Sequence, residues 1–408
     1  MKRQVLLLTE ESGVGGVQTT LNLLTTALAA RGWQVRRLSV RQGRPSLWAC
    51  WQAARQAQVL VASNNFWPAY WAVALGWLSG RPSVVWVHGP LHEVLRQAGA
   101  SRPKTRWLQT VYRLASQVVC ASQTSLDSFN RVMGQLGHVR KPDAGDACGA
   151  WDGGQAVCVI RNPAVMPGNH EDPPATDAAP STSHAPVPVT EYTTARSQPP
   201  NSGVSDPVIP LGFVGRLSPE KQPLQLIAML QHLPAAYQLH VVGDGELMGA
   251  MQSAGQTCLA QGRLHLHGQH TVRAQTYWAW RATVLCSLYE GYPMTALESL
   301  ACGVPCVSTP IPALQEMLGP HAPLWLAHNH SALALANAVQ ACLAQSPEAL
   351  QAQLQATLAA HGLEAFAQDW DRLLSRLVQR GEGQGAGSDT RTDTPSGPHD
   401  AHDPKAKP

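Results

Sequence analysis

ATVLCSLYEGYPMTALESLACGVPCVST, running from Ala282 to Thr309, decides the fold. ATVLCS is a short apolar run of strand type. LYEGYP is a loop punctuated by Gly291 and Pro293. MTALESLA has helical spacing, Gly303 and Pro305 stop it, and PCVST is a strand again. A strand, a loop, a helix and a strand in so short a stretch form the repeating unit of a parallel sheet. Two carboxylates frame it, Glu290 on the loop and Glu298 on the helix, with seven residues between them.

The alternation continues in both directions. PLGFVG, a helix from about Gln222, LHVVGDG and RLHLHG precede the segment, and helical stretches fill 331–380 after it. Near the N-terminus QVLLL is a buried strand, followed by Gly13, Gly15 and Gly16 and a helical VQTTLNLLTTALAARG. VRRLSV, QVLVAS, SVVWVHG, QVVCAS and AVCVIRN are further strands. Residues 166–206 are rich in Pro, Ser, Thr and Ala without periodicity. The expected architecture is α/β, with two Rossmann-like doubly wound parallel-sheet domains, 1–165 and 207–362, facing a cleft. A disordered insertion or linker, 166–206, joins them. A helix over 363–380 can cross back to the first domain, and 381–408 forms a disordered tail. A chain of 408 residues is long for a single core and suits two. Ligands of such sheets bind beyond the carboxyl ends of the strands.

Charge divides the chain unevenly. Residues 12–141 hold 15 Arg and Lys against two carboxylates, Glu93 and Asp127, although the whole chain carries only +3. A basic half points to an anionic partner, nucleic acid or a membrane surface; a compositional habit is the other explanation. Arg96, Arg102, Lys104, Arg106 and Arg113 are its densest cluster. No apolar run is long enough to cross a bilayer, and the start MKRQVLLLTEES is too short for a signal peptide. Nine cysteines without metal or disulfide rhythm suit a reducing cytosol. The expected location is cytoplasmic, peripheral on the inner face of the cell membrane.

Pro293 precedes a helix whose first N–H groups, at Met294 and Thr295, can meet a phosphate. Thr295-Ala-Leu-Glu298 also fits a capping box, which would close the helix end without any ligand. A cap does not explain Glu290. A carboxylate beside a phosphate is repelled unless it accepts hydrogen bonds from hydroxyls, and ribose and sugars supply those in pairs. Phosphate flanked by two hydroxyl-rich rings is a nucleotide sugar. A second loop agrees. In GFVGRLSPEKQPLQLI, Ser218 is placed to cap a helix, Pro219 opens it and Lys221 lies in its first turn, with Arg216 just before. Cations there are unfavourable unless an anion binds.

These segments resemble the donor site of the retaining GT-B glycosyltransferases of glycosyltransferase family 4, also known as glycosyl transferases group 1. The match lies in the Glu290–Glu298 pair around Gly291-Tyr292-Pro293, in Gly215-Arg216-Leu217 with Glu220-Lys221, and in Gly15-Gly16-Val17 after the first strand. The resemblance implies that Glu290 meets the transferred sugar and Glu298 the ribose. It implies that Gly15, Gly16, Gly215, Gly291, Tyr292, Pro293, Met294 and Thr295 line the donor. Arg216, Lys221 and Glu290 would form the catalytic centre, joined by His88 in VHG near the acceptor. It also implies retention, no cofactor and no metal, with a nucleotide-diphosphate sugar as donor substrate. The acceptor would be a glycan or lipid-linked, in cell-surface polysaccharide or lipopolysaccharide synthesis. Asn162 and Gly243-Asp244-Gly245 are similar to family turns. STPIPALQEM lacks the Gly-Gly that relatives often place before their Glu, so Glu316 is left out of the site.

Other motifs have plainer readings. Asp369-Trp370-Asp371 has the D-x-D form of metal-dependent transferases but falls in a helical stretch. His265, His267 and His270 lack the Cys or carboxylate of a zinc site. FWPAYWAVALGWL, Phe66 to Leu78, reads as a core helix, with an interfacial patch as the alternative. The glycines after the first strand fit no dinucleotide fingerprint. Rival functions are a nucleotide-sugar epimerase of the same fold and a non-catalytic partner with a vestigial donor site. No nucleic-acid motif is present to favour that class of partner.

Overall fold

The computed structural model describes residues 3–10, 15–41, 46–134, 148–150, 156–168 and 208–385. The first sheet contains β1 (Arg3–Thr9), β2 (Trp33–Ser39), β3 (Val59–Ala62), β4 (Ser83–Val87), β5 (Gln117–Cys120), β6 (Cys148–Ala150) and β7 (Ala156–Val159), in the order β2-β1-β3-β4-β5-β7-β6. All are parallel except β6, a short strand the sequence did not suggest, which runs antiparallel to β7. The second sheet contains β8 (Ile209–Val214), β9 (Tyr237–Val242), β10 (Leu264–Leu266), β11 (Ala282–Leu285) and β12 (Cys306–Ser308), all parallel, in the order β10-β9-β8-β11-β12.

The central strands are apolar on both faces, as a parallel sheet covered by helices requires. Val5, Leu6, Leu7 and Leu8 of β1 are all fully buried, which requires helices above and below the sheet. One face is covered by the helices Leu47–Gln56, Trp67–Ser79, Leu91–Gln97, Arg102–Leu114 and Gln123–Met133. The other is covered by Gly16–Ala29 and by the last helix, Leu363–Gly385, whose Phe366, Trp370 and Leu374 pack with Trp86 and Val61. That helix runs past the predicted end at 380, so the expected tail begins later, and its residues after 385 lie outside the described ones. The predicted insertion 166–206 also lies outside them, except Met166–Gly168, where the carbonyl of Pro167 accepts the N–H of Ala274 at 3.2 Å.

Both sheets reverse their strand order next to the first strand. In the first sheet β2 lies on one side of β1 and β3 on the other; in the second, β9 and β11 flank β8. Connections leave in opposite directions at such a point and open a crevice beyond the strand ends. The loops after β8 and β11 and the helix start at Gly15-Gly16-Val17, which carry the three segments singled out from the sequence, lie there.

Candidate active site

Strands β8 and β11 are paired, Leu211 with Ala282 and Gly212 with Thr283, so the two loops after them touch. The N–H of Leu288 donates to the carbonyl of Glu220 at 2.7 Å. The buried Cys286 thiol donates to the carbonyls of Lys221 and Gln222 at 3.3 and 3.2 Å, and burial pushes its pKa up to about 12. Across this seam the Lys221 ammonium donates to Glu290 Oε1, which also accepts the Ser287 hydroxyl at 2.7 Å. Ser218 and Pro219 do open a helical turn that holds Lys221, but it is a 3-10 turn and not the start of the α-helix. Pro219–Lys221 is a single 3-10 turn that begins after Ser218, Gln222 takes a left-handed conformation (φ 47°), and the helix proper is Pro223–Gln231. Thus the misplaced cation finds its anion within the protein. Arg216 is exposed and pairs with no described carboxylate.

Helix Met294–Ala301 comes after the loop. The capping box is not formed: Pro293 is the N-cap, without a side-chain hydrogen bond, and Glu298 lies beyond the first turn. Thr295 turns its hydroxyl to the carbonyl of Val214 in β8, at 3.3 Å. The first N–H groups of this helix therefore have no side-chain acceptor from the cap. Helix Gly16–Ala29 is alike, with Gly15 as N-cap and no acid in its first turn. The two helix starts meet, since a Cβ on Gly16 would stand 3.2 Å from Met294 Cγ. Two helix N-termini without a side-chain cap among the described residues converge on the crevice, and both favour an anion.

Glu298 has different company. Its Oε2 accepts the hydroxyl of Tyr277 at 2.8 Å, and Tyr277 is fully buried. Burial pushes the Glu298 carboxyl up to about 7, and the Tyr277 hydrogen bond works against that rise. Nothing local in RAQTYWAW marks Tyr277; it reaches Glu298 because its helix, Ala274–Trp278, leads into β11.

The first domain closes on this loop. A Cβ on Gly291 would lie 1.7 Å from the carbonyl oxygen of His88, so only glycine permits the approach. The Gly291 carbonyl accepts the Ser122 hydroxyl at 2.7 Å, and the Tyr292 carbonyl accepts Asn162 Nδ2 at 3.3 Å. Asn162 is more than a turn former. Glu316 is a latch: its carboxylate accepts the N–H groups of Gln123 and Thr124, at 3.0 Å each, and Arg161 Nε at 3.3 Å. His88 is packed against Trp86, burial pushes it down to about 4, and its Nε2 has no hydrogen-bond partner among the described residues. Tyr292 donates its hydroxyl to His361 Nε2, and His361 Nδ1 donates to the carbonyl of Thr357 at 2.7 Å.

Known proteins share parts of this chain. Residues 209–345 match the family Glycosyl transferases group 1. A lipopolysaccharide 1,6-galactosyltransferase of Salmonella typhimurium is 32% identical over 103 residues, which are 24% of this chain and 29% of that protein. An Escherichia coli UDP-Gal:alpha-D-GlcNAc-diphosphoundecaprenol alpha-1,3-galactosyltransferase is 34% identical over 102 residues, 23% of this chain and 26% of that one. The chain spans less than a third of the length of these curated relatives. The structure of Anabaena HepE in complex with UDP and glucose superposes with a TM-score of 0.66 at 18% identity, over 92% of this chain and 100% of that one. The fold is GT-B.

Within the GT-B fold the remaining motifs fall away from the crevice. Asp369 and Asp371 lie on the last helix; Asp371 accepts Trp33 Nε1 at 2.7 Å and Asp369 pairs with Arg372 at 3.4 Å. His265 and His267 join His240, whose Nδ1 is 3.0 Å from His267 Nε2 and whose ring stacks on His265 at 4.5 Å. Among the described residues no cluster of three or more His, Cys, Asp or Glu has the arrangement of a metal site. Gly243, at φ 142°, lets the loop after β9 press on the carbonyl of Gly215, 1.9 Å from where a Cβ would stand. That contact supports the Arg216 loop from behind.

Proposed function

We propose that the chain is a glycosyltransferase that moves a sugar from a nucleotide-diphosphate sugar to a glycan or lipid-linked acceptor. The observation that carries this reading is the meeting of two uncapped helix N-termini beside Arg216 and the Lys221–Glu290 pair, at the carboxyl ends of both sheets. Such a crevice holds a diphosphate, and carboxylates on either side accept hydroxyls. Glu298 is the ribose acceptor in this proposal, with Tyr277 on Oε2 fixing the carboxylate and leaving Oε1 for the ribose. Glu290, between Lys221 and Ser287, faces the sugar.

As the bond from the anomeric carbon to the diphosphate breaks, charge grows on the leaving oxygen. Arg216, Lys221 and the helix N–H groups stabilise it there, the role that a metal ion takes elsewhere. A mechanism without metal, and with retention at the anomeric carbon, is part of the proposal. So is a place in cell-surface polysaccharide or lipopolysaccharide synthesis, supported by the names of the partial relatives. A uridine diphosphate sugar is the first donor to test, since HepE was crystallised with UDP. The experiment is a donor screen that measures nucleoside diphosphate release, with and without lipid-linked acceptors and with and without EDTA. Release stimulated by an acceptor and indifferent to EDTA is expected. No release with any nucleotide sugar overturns the transfer reading, and collapse with EDTA overturns the metal-free one.

A further inference from the structure

The first domain has a second surface that the crevice does not use. Helix Trp67–Ser79 is apolar all round. It buries Ala69, Ala72, Val73 and Leu75, yet Trp67, Trp77 and Leu78 are more than half exposed. Beside it, helix Arg102–Leu114 buries Leu108, Val111 and Tyr112 and exposes Arg102, Lys104, Arg106 and Arg113 together with Trp107 and Leu114. The two helices run side by side. The Lys104 ammonium lies over the Phe66 ring at 5.1 Å, and Tyr70 touches both Trp67 and Trp107, at 6.1 and 6.4 Å between ring centroids. No Asp or Glu occurs between Glu93 and Asp127, and none of these four cations pairs with a described carboxylate. No helix among the described residues is long and apolar enough to cross a membrane.

We propose that this face docks on an anionic lipid bilayer. Indole rings interleaved with cations that pair with no described carboxylate suit the headgroup boundary: the rings enter the edge of the apolar layer and the cations meet lipid phosphates. Exposed tryptophans and leucines in water favour burial, and the lack of acids removes the repulsion that a negative surface would meet. Helix Trp67–Ser79 follows on β3, so its first turn lies beyond the carboxyl end of that strand, the side on which the crevice opens. Docking does not depend on the transfer reading; delivery of a lipid-linked acceptor to the crevice does.

Co-sedimentation of the full chain with vesicles tests this. Vesicles of phosphatidylglycerol and phosphatidylcholine in equal parts are expected to carry the protein down at low salt. Phosphatidylcholine alone should not, and raising salt from about 0.05 to about 0.5 M should release it as the Debye length shrinks. Each cation contributes about fivefold, so Arg102→Gln, Lys104→Gln and Arg106→Gln together should weaken binding about 100-fold. Trp77→Ser with Trp107→Ser should weaken it about tenfold or more without changing the salt dependence. The residues are exposed, so unchanged melting is expected. Should the cation variant melt early, the tryptophan pair carries the test. Equal binding to neutral vesicles, or full binding by both variants, removes the bilayer. So does finding that the chain self-associates through this face in solution and that the variants abolish only that.

Discussion

Glu290 takes an ammonium and a hydroxyl on one carboxylate oxygen, whereas Glu298, in the helix that follows, takes only a tyrosine hydroxyl among the described residues and is raised by burial. The loop Ser287–Pro293 is open to the facing loop of β8 and borrows its cation. The helix Met294–Ala301 turns Glu298 toward the buried Tyr277 and lacks any such counter-charge. Two identical side chains are thereby placed in different electrostatic surroundings: one is held beside a positive charge, and burial pushes the other up to about 7.

The largest expected effect breaks the first environment. Arg216→Ala with Lys221→Ala removes two charge-assisted contacts worth roughly 1.5–3 kcal/mol apiece, so the initial rate of transfer should fall about 100-fold or more. The fold should persist, because Arg216 is exposed and Lys221 part-exposed. A double variant with full activity would end the proposed role of both cations. Next, Glu290→Ala should lower kcat by about tenfold or more with little change in the affinity for free nucleoside diphosphate. An equal loss of that affinity, measured by calorimetry, would move Glu290 from the sugar to the nucleotide.

The second environment predicts a pH dependence. If the ionised Glu298 holds ribose, nucleoside diphosphate affinity should rise as pH increases through about 7, where this carboxyl titrates. Tyr277→Phe removes the hydrogen bond that lowers the Glu298 pKa, so the midpoint should move to higher pH. Glu298→Gln should weaken binding and flatten the profile. An unshifted midpoint in Tyr277→Phe would separate the tyrosine from this function.

The smallest effect is on stability. Glu298 keeps its proton in the folded chain to a higher pH than the usual 4.5 or so, so between these values the folded state binds more protons than the unfolded one. The associated stabilisation is present below about pH 4.5 and is lost as pH rises through about 7. Relative to Glu298→Gln, the unliganded wild type should thus lose on the order of 1 kcal/mol between pH 5 and pH 7.5 in urea unfolding. A constant difference between the two proteins would place Glu298 in water.

Much of this could be read from the chain alone, for a physical reason. Parallel strands buried on both faces are continuous apolar runs, helices are periodic, and Gly303 and Pro293 punctuate them, so the two-domain α/β plan is a local property. The candidate loops were legible because cations and carboxylates are out of place at the ends of apolar strands. What each of them touches was not legible. The capping box at Thr295 fits the sequence and is absent from the structure, because the Thr295 hydroxyl finds Val214 instead. Tyr277 and Ser122 have no signal in their own segments, and Glu316, set aside because STPIPALQEM lacks a Gly-Gly, shows its latch only in the fold.

The sequence by itself therefore determined where most strands and helices lie, β6 and the end of the last helix apart, which loops carry charge, and that residues 12–141 are basic. Only the tertiary structure decided that the loops after β8 and β11 are neighbours, since strand order depends on how the crossover helices pack and not on any one segment. It alone joined Lys221 to Glu290, set Gly16 against Met294, and brought Trp67, Trp107 and Lys104 onto one outer face. Contacts between residues far apart in sequence are paid for by the burial of both sheets, and that burial is a sum over the whole core.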